Sequence, residues 1–430
     1  REKKEQNKLG SSNSRSLATI LIIGFVLGGT FSVNAQSDAM SSEYSQQDSL
    51  QTISLEEARE IAIKNFPQLK AAQLEIESEE VLRKTAYDFG NTQIFTGKEE
   101  VGNGSDGIYT QIGVQQQGID IFGIAPRLKL QKERVALAEN ALELNTLEVE
   151  REVSRAWASV YTRKKMYQVY RKMDSIFEDI ERAARIRYET EATSKLEYLA
   201  TSNQGNEVKI QLEQSYRNYL KSLQRLNLWF ASDTIYDVPD LPVKTLNEPL
   251  NFLVESLENH PSLQVSEQRV DIAKAITRER KSEFLPKFQG QYARQEINGQ
   301  SGFYQYQLGI QIPLFFGPEL GRTQEAKVHR KIAEQNFYQD KLELETAYKN
   351  MREEFIKWRN SWNYYKNEAL PLAKEQQDGA VLAFKEGAID YVTFLQNIRD
   401  AIRIEVNAWG AFDDYLDSRY QLEYYLENSN

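Results

Sequence analysis

Cysteine is absent from the 430 residues, and histidine occurs only at His260 and His329. Without thiols there is no disulfide framework, no thiolate metal site and no cysteine for a bacterial lipid anchor, and two imidazoles offer little nitrogen for zinc or copper. A Ser/His/Asp triad finds no support in two histidines, one of which sits inside a repeated structural segment. Long apolar runs are also scarce. The one candidate, residues 17–31, is shorter than the roughly 20 residues of a spanning helix and contains several glycines. No later stretch comes close, so a mature chain that crosses a membrane would have to do so with strands. A basic excess is missing too: 53 Lys and Arg against 63 Asp and Glu leave a net charge of −10, which disfavours nucleic acid as a partner.

What is present suits a folded, exported protein. A content of 40% hydrophobic and 27% charged residues is enough for a packed core. Residues 1–35 have the anatomy of a secretory signal: Arg1, Lys3, Lys4, Lys8 and Arg15, the apolar run, then Val33-Asn34-Ala35, with cleavage expected after Ala35. Removing this leader, net +3, leaves −13.

The chain repeats itself. Asn65-Phe66-Pro67-Gln68-Leu69 returns as Asn259-His260-Pro261-Ser262-Leu263, and Phe122-Gly123 as Phe316-Gly317, both at an offset of 194; residues 188–199 match 384–395 at an offset of 196. Three matches in order indicate tandem duplication. The expected organisation is a signal peptide over 1–35, an N-terminal segment over 36–52, a first repeat over 53–230, a linker over 231–249 with Pro239, Pro242 and Pro249, and a second repeat over 250–430. Each repeat reads as a helix of about 25 residues, a strand pair, a helix of some 65 and one of about 35.

In the second repeat Leu344, Tyr348, Met351, Phe355, Trp358, Trp362, Tyr365, Ala369 and Leu372 step by four and three alternately, the spacing of a coiled-coil seam on one rod over 321–385. Val135, Ala138, Leu142, Val149, Ala156 and Val160 form a looser series in the first. Before each long helix the period changes to two. Tyr304, Tyr306, Leu308, Ile310 and Ile312 alternate with Gln305, Gln307, Gly309 and Gln311; Phe288 and Tyr292 alternate with Gln289 and Gln291; Ile108, Ile112 and Val114 oppose Gln111, Gly113 and Gln115. The remaining strand, near 92–96, has the weakest pattern. An ordinary half-buried sheet reads similarly, but its wet face would usually carry more Lys and Glu. An uncharged polar face opposite an aromatic-rich one suits a water-filled membrane barrel. Four strands cannot close around a pore, so that reading requires several chains.

Taken together these residues resemble the TolC family of outer-membrane efflux proteins over about 53–427. The resemblance is carried by Leu55-Glu56-Glu57-Ala58 with Asn65 and Pro67, by Gly309-Ile310-Gln311-Ile312-Pro313-Leu314-Phe315-Phe316-Gly317, and by Gly387 followed by Val392 and Leu395. The segment 312–317 is most similar to the CusC/CzcC-type partners of heavy-metal RND pumps, although the chain has no cysteine and only 4 methionines. The resemblance implies a mainly α fold with β: tandem-duplicated coiled-coil helices plus four strands per protomer that complete a trimeric twelve-stranded barrel above a periplasmic helical tunnel. It implies a passive conduit in the outer membrane of a Gram-negative bacterium, extending into the periplasm and carrying solutes such as heavy-metal cations or drugs. The implied partners are two further copies of the chain, outer-membrane lipid, a periplasmic adaptor and an inner-membrane RND pump; no cofactor, resident metal or catalytic residue is expected. Gln111, Gln115, Gln305, Gln307 and Gln311 would face the lumen. Helix turns over 189–194 and 386–390 would form the periplasmic gate and adaptor-contacting end, with Glu191, Ser194, Leu196, Leu199, Gly387, Asp390, Val392 and Leu395. Thr393 and Gln396 stand where some relatives place acids, leaving Asp390 or Asp400 as substitutes. A secreted coiled-coil scaffold is the alternative. An enzyme is a poorer reading, since Glu75, Glu77, Glu79 and Glu80 fall on a polar helix face and Gly102-Asn103-Gly104 lacks the strand-to-helix context of a phosphate loop.

Overall fold

The computed structural model describes residues 51–100, 107–240 and 257–426. The expected signal peptide over 1–35 and N-terminal segment up to residue 50, the glycine loop at 102–104 and the expected linker beyond residue 240 lie outside the described residues. In chain order the elements are β1 (Gln51–Thr52), α1 (Leu55–Asn65), α2 (Pro67–Leu82), β2 (Asn91–Glu100), β3 (Ile108–Ile119), α3 (Ile121–Glu189), α4 (Lys195–Leu228), β4 (Tyr236–Asp237), α5 (Pro261–Ser282), β5 (Lys287–Ile297), β6 (Gln300–Gln311), α6 (Gly317–Tyr364), a π-helical turn (Tyr365–Ala369), α7 (Leu370–Lys385) and α8 (Tyr391–Glu423). No helix among the described residues is long and apolar enough to cross a membrane.

The duplication extends to backbone angles. Phe66 (φ −63°, ψ 126°) and His260 (φ −63°, ψ 134°) both precede a proline that starts a helix. A residue before proline is forced out of the α region, which is why the expected 25-residue helix of the first repeat is two helices, α1 and α2. His260 adds a cap that Phe66 lacks. Its Nδ1 accepts from the Ser262 N–H (3.2 Å) and Oγ (2.8 Å), leaving Nε2–H to donate to the Tyr424 carbonyl (3.1 Å). Part of the linker is also more than a connector. Tyr236–Asp237 pairs in parallel with Gln51–Thr52, and Lys164 Nζ ties Asp237 Oδ2 (2.6 Å) to α3.

α3, 69 residues long and so about 100 Å, packs along α4, α5 and α8. An aromatic core joins α3, α6 and α8. Trp362 and Phe412 lie 4.4 Å apart between centroids, Trp157 stacks on Tyr161, and Phe355 meets Tyr415. The α6 seam is buried every seventh residue, at Tyr348, Phe355, Trp362 and Ala369. Beyond Ala369 the expected seam fails: Leu372 is 64% exposed, and Ala373, Gln377 and Ala380 are buried instead. The cause is the π-helical turn just before Pro371, whose missing N–H frees a carbonyl four residues back. An extra residue in one turn rotates everything after it, so the single rod is two helices in different register.

Burial lowers the pKa of His260 below its usual 6.5, against the opposing pull of the Tyr424 carbonyl. A lowered folded-state value means the unfolded chain binds the proton better. The stabilisation is therefore complete above about pH 6.5 and declines as pH falls below it. In thermal unfolding between pH 8 and pH 5, His260→Asn, which keeps a capping acceptor, is expected to flatten this decline.

Candidate functional site

The candidate functional residues fall in two regions, the four-stranded sheet and the pair of turns joining the long helices. The sheet has the order β2-β3-β5-β6, antiparallel throughout, one hairpin from each repeat meeting at β3 and β5. Asn298 (φ 53°) and Gly299 (φ 80°) close the β5–β6 hairpin, the Asn-Gly pair that a two-residue turn with positive φ favours. Asn298 Oδ1 also accepts from the Ile108 N–H (2.9 Å), pinning the tip to β3.

Register puts like residues side by side. Gln93, Gln115, Gln291 and Gln307 form one row across all four strands. Gln111 faces Gly97 and Gln295; Gln305 faces Ala293; Gln311 faces Lys287. All five glutamines expected on the polar face therefore share it. Gln295 Nε2 donates to Gln305 Oε1 (2.6 Å). The Phe95 ring lies over Gly113, where a Cβ would come within 2.6 Å of it. Charge enters this face only at its ends, with Lys287 toward the helices and Glu99, opposite Tyr109, toward the hairpins.

The opposite face is bare and mainly apolar, with Thr92, Thr96, Thr110 and Gln116 interspersed. Ile94, Val114, Tyr292 and Tyr306 form one row, with Leu308 and Ile310 toward the helices. Leu308 is 85% exposed, Ile94 80% and Tyr306 73%. β2, the weakest strand in sequence, is fully formed, and like β6 it is an edge.

At the far end of the helices the two turns are twins. α3 and α7 end in the same pattern, with Ala192 N–H donating to Arg187 O (2.7 Å) and Glu191 N–H to Tyr188 O, and with Ala388 N–H donating to Ala383 O (2.8 Å) and Gly387 N–H to Phe384 O. This is the Schellman closure, which needs positive φ at its pivot. Gly387 supplies it at 71°, while Glu191 adopts 58°. The sequence flags Gly387 as able to turn this way; the matching strain at Glu191 shows only through the 196-residue offset. Ser194 and Asp390 then cap α4 and α8 by accepting from the Glu197 N–H (3.2 Å) and the Thr393 N–H (2.7 Å). Backbone hydrogen bonding holds the Asp390 carboxyl below its usual range, and Asp400 is paired with Arg403 (2.9 Å).

Between α4 and α8 runs a groove of about 1190 Å³ over α3, lined in part by Ser194, Leu196, Asp390, Val392 and Leu395; Glu191, Leu199 and Gly387 are not among its lining residues. Leu196 (79%) and Val392 (72%) are largely exposed, and Leu199 is also exposed. Leu395 differs, since it packs on the core of Val169, Met173, Phe177, Phe394 and Ile398 that holds the helix ends together. Among the glutamates of α2, Glu79 is half-buried and accepts from Gln131 Nε2 of α3 (2.5 Å). Among the described residues no three His, Asp or Glu side chains cluster as a metal site would.

No family model and no curated protein matches the chain. Solved structures do. A membrane protein from Pseudomonas aeruginosa superposes with TM-score 0.74 at 14% identity, covering 88% of this chain and 91% of that one. CusC, solved in work on transmembrane channel formation, gives 0.73 at 12%, covering 86% and 91%. The Campylobacter jejuni CmeC outer membrane channel gives 0.74 at 12%, covering 86% and 85%. CusC is thus matched no better than CmeC.

Replacing Glu191 with Gly should relieve a left-handed L-residue and stabilise its turn by about 0.5–1 kcal/mol, whereas Gly387→Ala should destabilise the twin by a similar amount. Hydrogen exchange at the Ala192 and Ala388 amides reads the two effects with opposite signs. With its twinned turns and its four-stranded sheet built from two repeats, this chain has the TolC-type fold of the solved outer-membrane channels.

Proposed function

We propose that this chain is one protomer of a trimeric outer-membrane duct that conducts solutes passively. The observation that carries the reading is the sheet with no core on either side. Leu308, Ile94 and Tyr306 lie on one bare apolar face, amides line the other, and both edges are open. In water such a sheet would aggregate; in lipid it is complete once β6 of one copy pairs with β2 of the next. Three copies then supply twelve strands, the apolar face toward lipid and Gln111, Gln115, Gln305, Gln307 and Gln311 toward the bore.

Because barrel strands tilt by about 35–45°, the glutamine row climbs as an oblique stripe in each protomer rather than closing into a flat ring. Amides between Lys287 and Glu99 offer donors and acceptors without fixed charge. They suit weak selection, with the choice of cargo, metal cation or organic solute, made by a pump and adaptor upstream. The twin turns would form the periplasmic end, with Leu196, Leu199 and Val392 offering exposed apolar contacts to a helical adaptor hairpin and Leu395 supporting the groove floor. The alternative of a periplasmic scaffold accounts for the rods but leaves the apolar sheet face uncovered.

Expressed with its leader, the protein should fractionate with outer membranes and purify in detergent as a trimer. Leu308→Lys, which would put a charge near mid-bilayer at a cost of about 2–4 kcal/mol, should reduce membrane incorporation, while Gln307→Lys on the amide face should not. Recovery of a monomer from the soluble periplasmic extract would refute the duct in favour of the scaffold.

A further inference from the structure

In the four rows from Phe288 to Arg294 the bare face carries one charged residue, Arg294; its other polar groups include the Thr92–Gln116 pair in the Leu308 row. On β5 it stands opposite Ile112 and Tyr304, one row toward the hairpins from Ile94, Val114, Tyr292 and Tyr306. It is exposed, and it makes no ion pair with any described residue. An arginine on a lipid-facing strand is tolerated only by depth: about 2–4 kcal/mol at the midplane, falling to about 0–1 near the headgroups. Its position therefore marks where the hydrocarbon ends on the side away from the helices.

Two observations agree. Six residues separate Phe288, in the apolar row nearest the helices, from Arg294. That is about 20 Å of strand, or about 15 Å of height at a tilt of about 35–45°, and the exposed Ile312, Leu314 and Phe315 just past β6 extend the apolar surface on the helix side toward the roughly 25 Å band of such barrels. Tyr304 shares the Arg294 row, with Tyr292 and Tyr306 one row inward, the amphipathic rings that settle at a membrane interface. One row further toward the hairpins, on the same face, lies Lys98, separated by Thr110 from Glu296. Approach from the hydrocarbon side reaches the Arg294 row first, then the Lys98 row, with Lys98 two strand spacings across and one row along, roughly 12 Å away. Glu296 lies beyond Arg294 and bounds the site on the hairpin side.

We propose that Arg294, supported by Lys98, binds the phosphate of an anionic lipid headgroup in the leaflet remote from the helices. A planar guanidinium presents paired N–H donors that match phosphate oxygens, and at the edge of the hydrocarbon that bond is little weakened by water. The site rests on the duct reading, because it requires the apolar face to meet lipid.

The test uses the full-length protein in a neutral detergent, with binding read by native mass spectrometry. The probes are a bisphosphorylated glucosamine lipid (lipid A), its dephosphorylated form, and inorganic phosphate as competitor. Lipid A should bind the wild type, dephosphorylation or Arg294→Gln should each weaken it about tenfold, equivalent to about 1.4 kcal/mol, and Lys98→Gln should weaken it less. Lys287→Gln, on the amide face, should leave binding unchanged. Equal binding of the dephosphorylated lipid, an unaffected Arg294→Gln variant, or displacement by equimolar inorganic phosphate would each overturn the lipid site while the trimer stands. Failure to find a trimer at all would remove the duct and the site together.

Discussion

A β-sheet stabilises a fold when its apolar face is pressed against something and its edges are paired or protected. The four strands here have neither. Row upon row, from Ile310 to Tyr304, isoleucine, valine, leucine and tyrosine side chains stand in the open, and β2 and β6 present free ladders. This unfinished sheet is the constraint on which the rest depends. In the proposed duct, lipid covers its apolar side, further copies of the chain pair with each edge, and the amide face encloses water. The long helices, by contrast, are well supplied with partners, from the Trp362–Phe412 core to the cluster around Phe177 and Phe394.

Duplication explains how one chain builds such an object. Each repeat contributes one hairpin, one long helix and one returning helix, and the repeats agree down to φ and ψ before Pro67 and Pro261 and at the turns at Glu191 and Gly387. Where they differ, the difference is local. The second long helix contains the π-helical turn over Tyr365–Ala369, whereas α3 runs unbroken. The turn shifts the buried seam by one position, so that Ala373, Gln377 and Ala380 are buried, Ala380 in the cluster with Phe394 and Ile398 of α8 and Gln377 accepting from Lys172 Nζ of α3 (3.1 Å).

Much of this was legible beforehand, for definite reasons. The two-residue period at Tyr304 to Ile312 assigns faces because successive strand side chains must point oppositely. The four-three steps at Tyr348, Phe355 and Trp362 assign a seam because helical side chains recur at that spacing. Ser194 and Asp390 read as caps because short oxygen-bearing side chains bond to free N–H groups at helix starts. Other features left little trace. The Leu372 position fails because a π-turn depends on how one helix settles against its neighbours, with Pro371 only a partial cue. Positive φ at Glu191 leaves no residue signature, since the turn closure imposes it on a glutamate.

The sequence by itself determined the repeats, the helix and strand periods, the two faces of each strand and the helix caps, because these follow from local geometry and side-chain chemistry. Only the tertiary structure decided the rest: that β3 and β5 join the two hairpins, that Gln93, Gln115, Gln291 and Gln307 align in one row, that Arg294 stands in an apolar face, and that no part of the described chain covers that face. Register and exposure arise between segments distant in the chain, and no local pattern carries them.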